Sequence, residues 1–204
     1  MTLNRLVLWR HGETDYNATG RMQGHYDSEL TGTGWNQARF AVPVLSGFAP
    51  ELVVASDLHR ARDTAGVFTE ATGVPLRVDP RLRETNLGKW QGLTGEEIEA
   101  EWPGMLGAWR TDASVCPPDG ETRVQVAERA LAVVREVDEE CSDTVLLCAH
   151  GGLISALTGR LLELPADRWA LFGGIGNCHW TVFTRRPSGD GRWRLSSYNA
   201  GTTR

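Results

Sequence analysis

The sequence is poor in the features that mark several protein classes. It has four cysteines in 204 residues, Cys116, Cys141, Cys148 and Cys178, and no pair stands at metal-ligand spacing. That argues against a disulfide-stapled secreted scaffold and a thiolate metal site, and reduced thiols in a cytoplasmic protein are the expectation. No apolar run approaches the roughly 20 residues of a membrane-spanning helix. The first run, Leu6–Trp9, is far too short for a signal peptide. Positive charge is not in excess: 21 Lys and Arg stand against 26 Asp and Glu, a net charge of -5. No global basic field is available to attract nucleic acid or an anionic membrane, so an anionic ligand must be held by a local arginine cluster. Internal repeats and low-complexity segments are absent.

What is present is an ordinary globular composition, 41% hydrophobic and 23% charged, long enough for one domain over 1–204 with a substantial core. Leu6-Val7-Leu8-Trp9 reads as a buried strand that hands over to a loop at Arg10-His11-Gly12-Glu13-Thr14. A helix capped by Thr31 or Thr33 follows and is expected to end near Pro43. Leu52–Ala55 is a second strand. Ser56-Asp57 then signals the start of a helix that runs to about Thr72 and stops at Gly73. Residues 75–78 read as a short edge strand. Between residues 85 and 120 the periodicity fades among Gly, Pro and three tryptophans, and this stretch is expected to be a lid-like insertion. A capping box at Thr94–Glu97 marks one short helix within it, and another at Thr122–Gln125 opens a long helix. Thr144–Ala149 is the clearest core strand, followed by a helix from Leu153 to Leu164 stopped by Pro165. Two strands close the chain, near 179–184 and 192–198, joined by a turn at Ser188-Gly189-Asp190-Gly191. Strand, turn and helix in alternation predict an α/β fold: a three-layer α/β/α sandwich with a mostly parallel sheet.

Chemistry gathers where these strands end. Arg10-His11 follows the first strand, Arg60 lies on the helix after the second, Glu84 precedes the insertion, and His150-Gly151-Gly152 follows the core strand. In open α/β sheets, ligands bind at the carboxyl ends of strands. Two cations, two imidazoles and one carboxylate are the set that covalent phosphoryl transfer requires. A neutral imidazole attacks phosphorus, arginines neutralise the oxygens, and a carboxyl group serves the leaving group and then the water.

With these residues in place, the chain resembles the histidine phosphatase superfamily over nearly its full length. The resemblance rests on Arg10–Thr14, Asn17, Gln23-Gly24, Leu30-Thr31, Gly34, Gln37-Ala38 and Ser56 to Ala65. It continues through Leu82, Glu84, Trp90–Gly92, Asp119–Thr122, His150–Gly152 and Asn177. It implies that His11 is the nucleophile, that Arg10, Arg60 and His150 form the phosphate pocket, and that Glu84 is the proton donor. Asn17, Gln23, Gly24 and Gly151 match substrate-contacting positions. It further implies a phosphoric monoester hydrolase with no metal or other cofactor, a small phosphorylated metabolite as substrate, and a possible homodimer. Further shared text, Arg21-Met22, Arg81–Thr85, Gly176-Asn177 and Trp193–Leu195, resembles the subgroup that acts on a glucosylated phosphoglycerate, with Glu13 where that subgroup carries Gln.

Rivals are visible at several positions. Arg62 competes with Arg60 from another helical face, and the expectation for it is the surface. Glu13 and Glu121 compete with Glu84, the first as a loop anchor and the second as support for a helix N-terminus. His25 stands beside the Gln23-Gly24 pair, while His59 and His179 read as structural. Trp90, Trp102 and Trp109 could pack the insertion or stack on a sugar. Arg21, Arg81 and Arg83 read as a solvated face. Mutases of the family are generally longer, with a tail over the site, whereas Arg204 follows shortly after the last predicted strand. Hydrolysis is therefore expected. A non-catalytic binding module would lack the nucleophile or the acid, and both are present.

Overall fold

The computed structural model describes residues 2–187 and 189–202. Its spine is a six-stranded sheet of β1 (Arg5–Arg10), β2 (Leu52–Ala55), β3 (Leu76–Val78), β4 (Thr144–Ala149), β5 (Trp180–Arg185) and β6 (Trp193–Ala200). The order is β3-β2-β4-β1-β5-β6. The first four strands run parallel, β5 is antiparallel to β1, and β6 is antiparallel to β5. β4 lies centrally and is buried along its whole length, as expected of a parallel strand covered on both faces.

Alternate residues of each strand serve opposite faces. Val7, Trp9, Val53, Ala55 and Leu146 pack against α2 (Gly32–Ser46) and α3 (His59–Thr72), which follow the single turn α1 (Asp15–Ala18). Leu6, Leu8, Val54, Val145 and Leu147 pack against two later helices on the other face. Between them in the chain stand α4 (Gly95–Glu101) and α5 (Met105–Thr111), and the two packed helices are α6 (Arg123–Glu140) and α7 (Gly151–Leu161). Each Leu, Val or Phe buried in these seams contributes about 1.5–3 kcal/mol. The expected three-layer sandwich with its mostly parallel sheet is borne out.

Residues 85–120 build a separate small cluster around the buried Trp90. The rings of Trp102 and Trp109 lie 6.4 and 5.8 Å from it, with Ile98 and Leu106 alongside. Main-chain hydrogen bonds of 2.8 Å (Met22 N–H to Leu93 O) and 2.7 Å (Gly92 N–H to Met22 O) join this cluster to the loop after β1. Among the described residues no helix is long and apolar enough to cross a membrane.

Several element ends differ from expectation. Thr31 is the cap of α2, and the helix runs through Pro43 to Ser46. Pro43 is exposed, so the carbonyl left without a donor faces water, and the Ser46 hydroxyl donates back to Val42 O at 2.7 Å. α3 is not capped by Ser56 or Asp57. Leu58 holds the cap position, and Asp27 accepts the His59 N–H at 2.7 Å from a distant loop. α7 begins at Gly151 and ends at Leu161, short of Pro165. Glu163 turns left-handed with φ 56° and Leu164 N–H bonds back to Gly159 O, a Schellman ending on a residue other than Gly. Ser188, in the expected turn before β6, lies outside the described residues.

Candidate active site

The register of β1 against β4 places Arg10 opposite Ala149. The two histidines that follow therefore leave adjacent strands side by side, with ring centroids 5.2 Å apart. The His11 N–H continues the ladder to Ala149 O at 3.0 Å. His11 is buried, and its Nδ1 donates to Gly12 O at 2.7 Å. That contact fixes the tautomer and leaves the Nε2 lone pair free. The loop behind it is tight: a Cβ on Gly12 would lie 2.5 Å from Gly34 O. Burial, reinforced by the positive charges of Arg60 and Arg10, pushes His11 well below the ordinary 6.5.

Arg60 is also buried, on the first turn of α3. Its Nε donates to His150 Nδ1 at 3.2 Å, and its two terminal nitrogens donate to Tyr26 O and Gly24 O at 2.8 Å each. Burial pulls the guanidinium down to about 10. Because His150 Nδ1 accepts, its Nε2 carries the hydrogen, and that buried group has no partner among the described residues. Burial and Arg60 hold His150 well below 6.5 as well. Arg10 bonds Ile175 O through one terminal nitrogen, while its buried Nε is also unpartnered.

Glu84 faces this group from the irregular segment before the insertion. Its carboxylate accepts Gly152 N–H and Leu153 N–H at 2.9 Å and Thr85 N–H at 2.8 Å. It thus caps α7, whose own N-cap residue, His150, makes no side-chain cap. The fit demands glycine, since a Cβ on Gly152 would lie 2.6 Å from Glu84 Oε1. The carbonyl of Glu84 is held by Arg129 Nη2 and by His25 Nε2, both at 2.8 Å.

The cleft over these residues encloses about 170 Å³ and is lined by Arg10, His11, Asn17, Gln23, Gly24, Arg60, Glu84 and Gly152, with Arg21, Met22, Thr85, Leu87 and Trp109. Asn17 Oδ1 accepts from Asn177 at 3.0 Å, and Gln23 Oε1 accepts from the Thr14 and Ser28 hydroxyls. Gly151 packs beneath Arg10, leaving the wall to Gly152. His25 turns to the Glu84 carbonyl and does not line the cleft. Arg62 is on the surface, and Glu13 anchors its loop to the Thr31 hydroxyl at 2.8 Å. Glu121 accepts from Arg129 at 3.1 Å and from Asn86 N–H at 2.8 Å, rather than serving the start of α6. Arg81 and Arg83 pair with Asp79 and Asp57, whereas Arg21 and Trp109 reach the cleft. Sequence reasoning missed Arg129, one of three arginines on the amphipathic helix α6. Among the described residues no group of three or more His, Cys, Asp or Glu side chains is arranged to hold a metal ion.

The histidine phosphatase superfamily (branch 1) profile matches residues 6–201. The chain belongs to this superfamily. Glucosyl-3-phosphoglycerate phosphatases are among its similar relatives. That of Mycobacterium tuberculosis is 48% identical over 98% of this chain and 96% of its own length. That of Mycolicibacterium vanbaalenii is 46% identical over the same shares. A solved structure of mycobacterial glucosyl-3-phosphoglycerate phosphatase complexed with VO3 superposes with a TM-score of 0.92 at 48% identity, covering 97% of this chain and 100% of that one. The family expected from the motifs is thus borne out, and with it a phosphatase enzyme on a phosphoglycerate mutase-like fold.

Proposed function

We propose that this histidine phosphatase hydrolyses glucosyl-3-phosphoglycerate to glucosylglycerate and phosphate through a phosphohistidine on His11. The observation that carries the reading is the pair of buried donors beside His11, Arg10 Nε and His150 Nε2, that have no partner. Leaving such groups unsatisfied costs about 1–3 kcal/mol each. A phosphoryl oxygen is the acceptor they lack.

In this reading His11 Nε2 attacks phosphorus while Gly12 O holds the opposite N–H, so the ring enters in one orientation and shares its developing positive charge. Arg10 and Arg60 neutralise the equatorial oxygens, while the neutral His150 donates its Nε2–H to them, aided by the amides of Asn17 and Gln23. Glu84 gives a proton to the departing alkoxide, and the resulting carboxylate is received by the N-terminus of α7. It then takes a proton from the water that cleaves the phosphohistidine, which restores both residues.

The cleft wall also carries Arg21, paired with Glu97, and Trp109, stacked by Arg123, groups whose charge and ring edge suit a carboxylate and a sugar. Residues 85–120 act as the lid over the cleft. The relatives' shared substrate supports the same assignment. A cytoplasmic setting accompanies it, supported by the free thiols of Cys141, Cys148 and Cys178 in the interior. A homodimer is the oligomeric state of this reading, and sedimentation tests it.

The deciding assay compares phosphate release from glucosyl-3-phosphoglycerate and 3-phosphoglycerate with a chelator present. A strong preference for the glucosylated ester is expected, and His11→Ala should lose turnover and acid-labile phosphoryl label together. Equal slow rates on both esters would sink the substrate assignment. Retained turnover in His11→Ala would sink the nucleophile.

A further inference from the structure

We propose that Arg129 is the positioning residue of the proton-transfer step, a guanidinium that, with His25 at the same carbonyl, sets where the backbone of Glu84 stands. The inference rests on the reading of Glu84 as the acid.

Residues 83–87 form neither helix nor strand, so no ladder or helical repeat fixes their backbone. Buried main-chain carbonyls there still need donors. Arg129 supplies them, sharing the Glu84 carbonyl with His25 Nε2 at 2.8 Å. Its Nη1 donates to Arg81 O and Arg83 O at 2.6 Å each, and its Nη2 donates to Glu84 O at 2.8 Å. The same guanidinium is itself oriented by Glu121, with Nε to Oε1 and Nη2 to Oε2 both at 3.1 Å. Glu121 in turn accepts the Asn86 N–H at 2.8 Å. One ion pair thereby holds residues 81, 83, 84 and 86. The planar fork suits this task, because five N–H groups in fixed directions can serve several acceptors at once, which an ammonium cannot.

The geometry has two ends. α6 carries Arg129 and holds the backbone of Glu84, while α7 holds its carboxylate through Gly152 and Leu153. α6 and α7 pack against one another on the same face of the sheet. Glu84 is therefore stretched between two neighbouring helices, and its reach toward the leaving oxygen is set by both. Loosening the backbone end would leave the carboxylate's chemistry intact but shift it relative to the phosphoryl group. Misplacement by about 1 Å can cost about 100-fold in rate.

The test uses leaving-group dependence, since an aryl phosphate departs without a proton and an alkyl phosphate does not. Glu84→Gln, Arg129→Gln and Arg129→Lys are compared on p-nitrophenyl phosphate and on two alkyl esters, glucosyl-3-phosphoglycerate and glycerol 3-phosphate. Thermal melts accompany each variant. Arg129→Gln is expected to lose about 10- to 100-fold in kcat on the alkyl esters and no more than about 3-fold on the aryl ester. Arg129→Lys should fall between Arg129→Gln and wild type, and it decides the matter if Arg129→Gln does not fold. Equal losses on all three esters, or none, would make Arg129 a purely structural residue and overturn the proposal, provided Glu84→Gln shows the alkyl-selective loss. If Glu84→Gln shows no such selectivity, the acid assignment itself fails and the role given to Arg129 falls with it.

Discussion

A histidine that attacks phosphorus needs a free lone pair, and protonation would remove it. In the proposed reading His11 is that nucleophile, and burial and two flanking arginines penalise its cation. The same penalty reaches stability. The unfolded chain titrates its histidines near 6.5, whereas folded His11 and His150 stay neutral well below that. Between the two values the unfolded state binds more protons, so stability falls as pH drops below 6.5, by up to about 1.4 kcal/mol per pH unit for each group. Melting curves from pH 7.5 to pH 5 should show the decline, and His150→Asn should flatten it. An unchanged slope in that variant would contradict the assignment. At this scale the sequence was informative where chemistry forces an unusual residue to a strand end, as at His11 and His150. It was silent on Arg129, because an arginine amid a helix looks the same whether it meets water or three carbonyls. It was silent too on the His25 bond to the Glu84 carbonyl, since neighbourhood in the chain does not say which way a ring turns.

An α-helix begins with unsatisfied N–H groups, and α7 meets that need with a residue 68 positions away, Glu84. In the proposed reading the start of this helix also seats the acid. Gly152→Ala tests it: alanine favours the helix by about 1 kcal/mol over glycine, yet its Cβ would lie 2.6 Å from Glu84 Oε1. The expected result is a lost Glu84 cap that offsets the alanine's gain, leaving stability within about 1 kcal/mol of wild type, with kcat on alkyl phosphates reduced about 10-fold or more. Circular dichroism and kinetics on the same preparation would check both parts, and full activity would show that the carboxylate does not need its present seat. The bodies of the longer helices were legible from apolar spacing and capping boxes, while the short α1 and α5 and several ends were not. Pro43 sits inside α2 because its missing hydrogen bond faces solvent, and Glu163 ends α7 in a conformation usually left to glycine. Both depend on surroundings that local sequence does not contain. The start of α3 is a third case, because Asp27 supplies its cap from another loop.

Over the whole molecule, a chain of net charge -5 concentrates Arg10, Arg60 and two imidazoles at the carboxyl ends of its central strands. An anion placed there should stabilise the fold strongly despite the unfavourable overall charge. At phosphate or vanadate concentrations one hundred times Kd, mass action contributes about 2.7 kcal/mol. A melting temperature that rises with phosphate and returns toward baseline in Arg60→Ala is the expected outcome. A melt insensitive to phosphate would argue against an anion pocket. The layered α/β plan was readable because alternating strands and helices leave few ways to cover a parallel sheet. The grouping of 85–120 around Trp90 was less so, since irregular backbone carries little periodic signal. The Arg60–His150 hydrogen bond joins residues 90 apart in the chain, Glu84 meets Gly152 across 68, and Asn177 meets His11 across 166. Contacts that close such long loops come late when a chain collapses. During refolding, helical signal should therefore return before catalysis, and recovered turnover marks the moment when the two ends of the polypeptide have found each other.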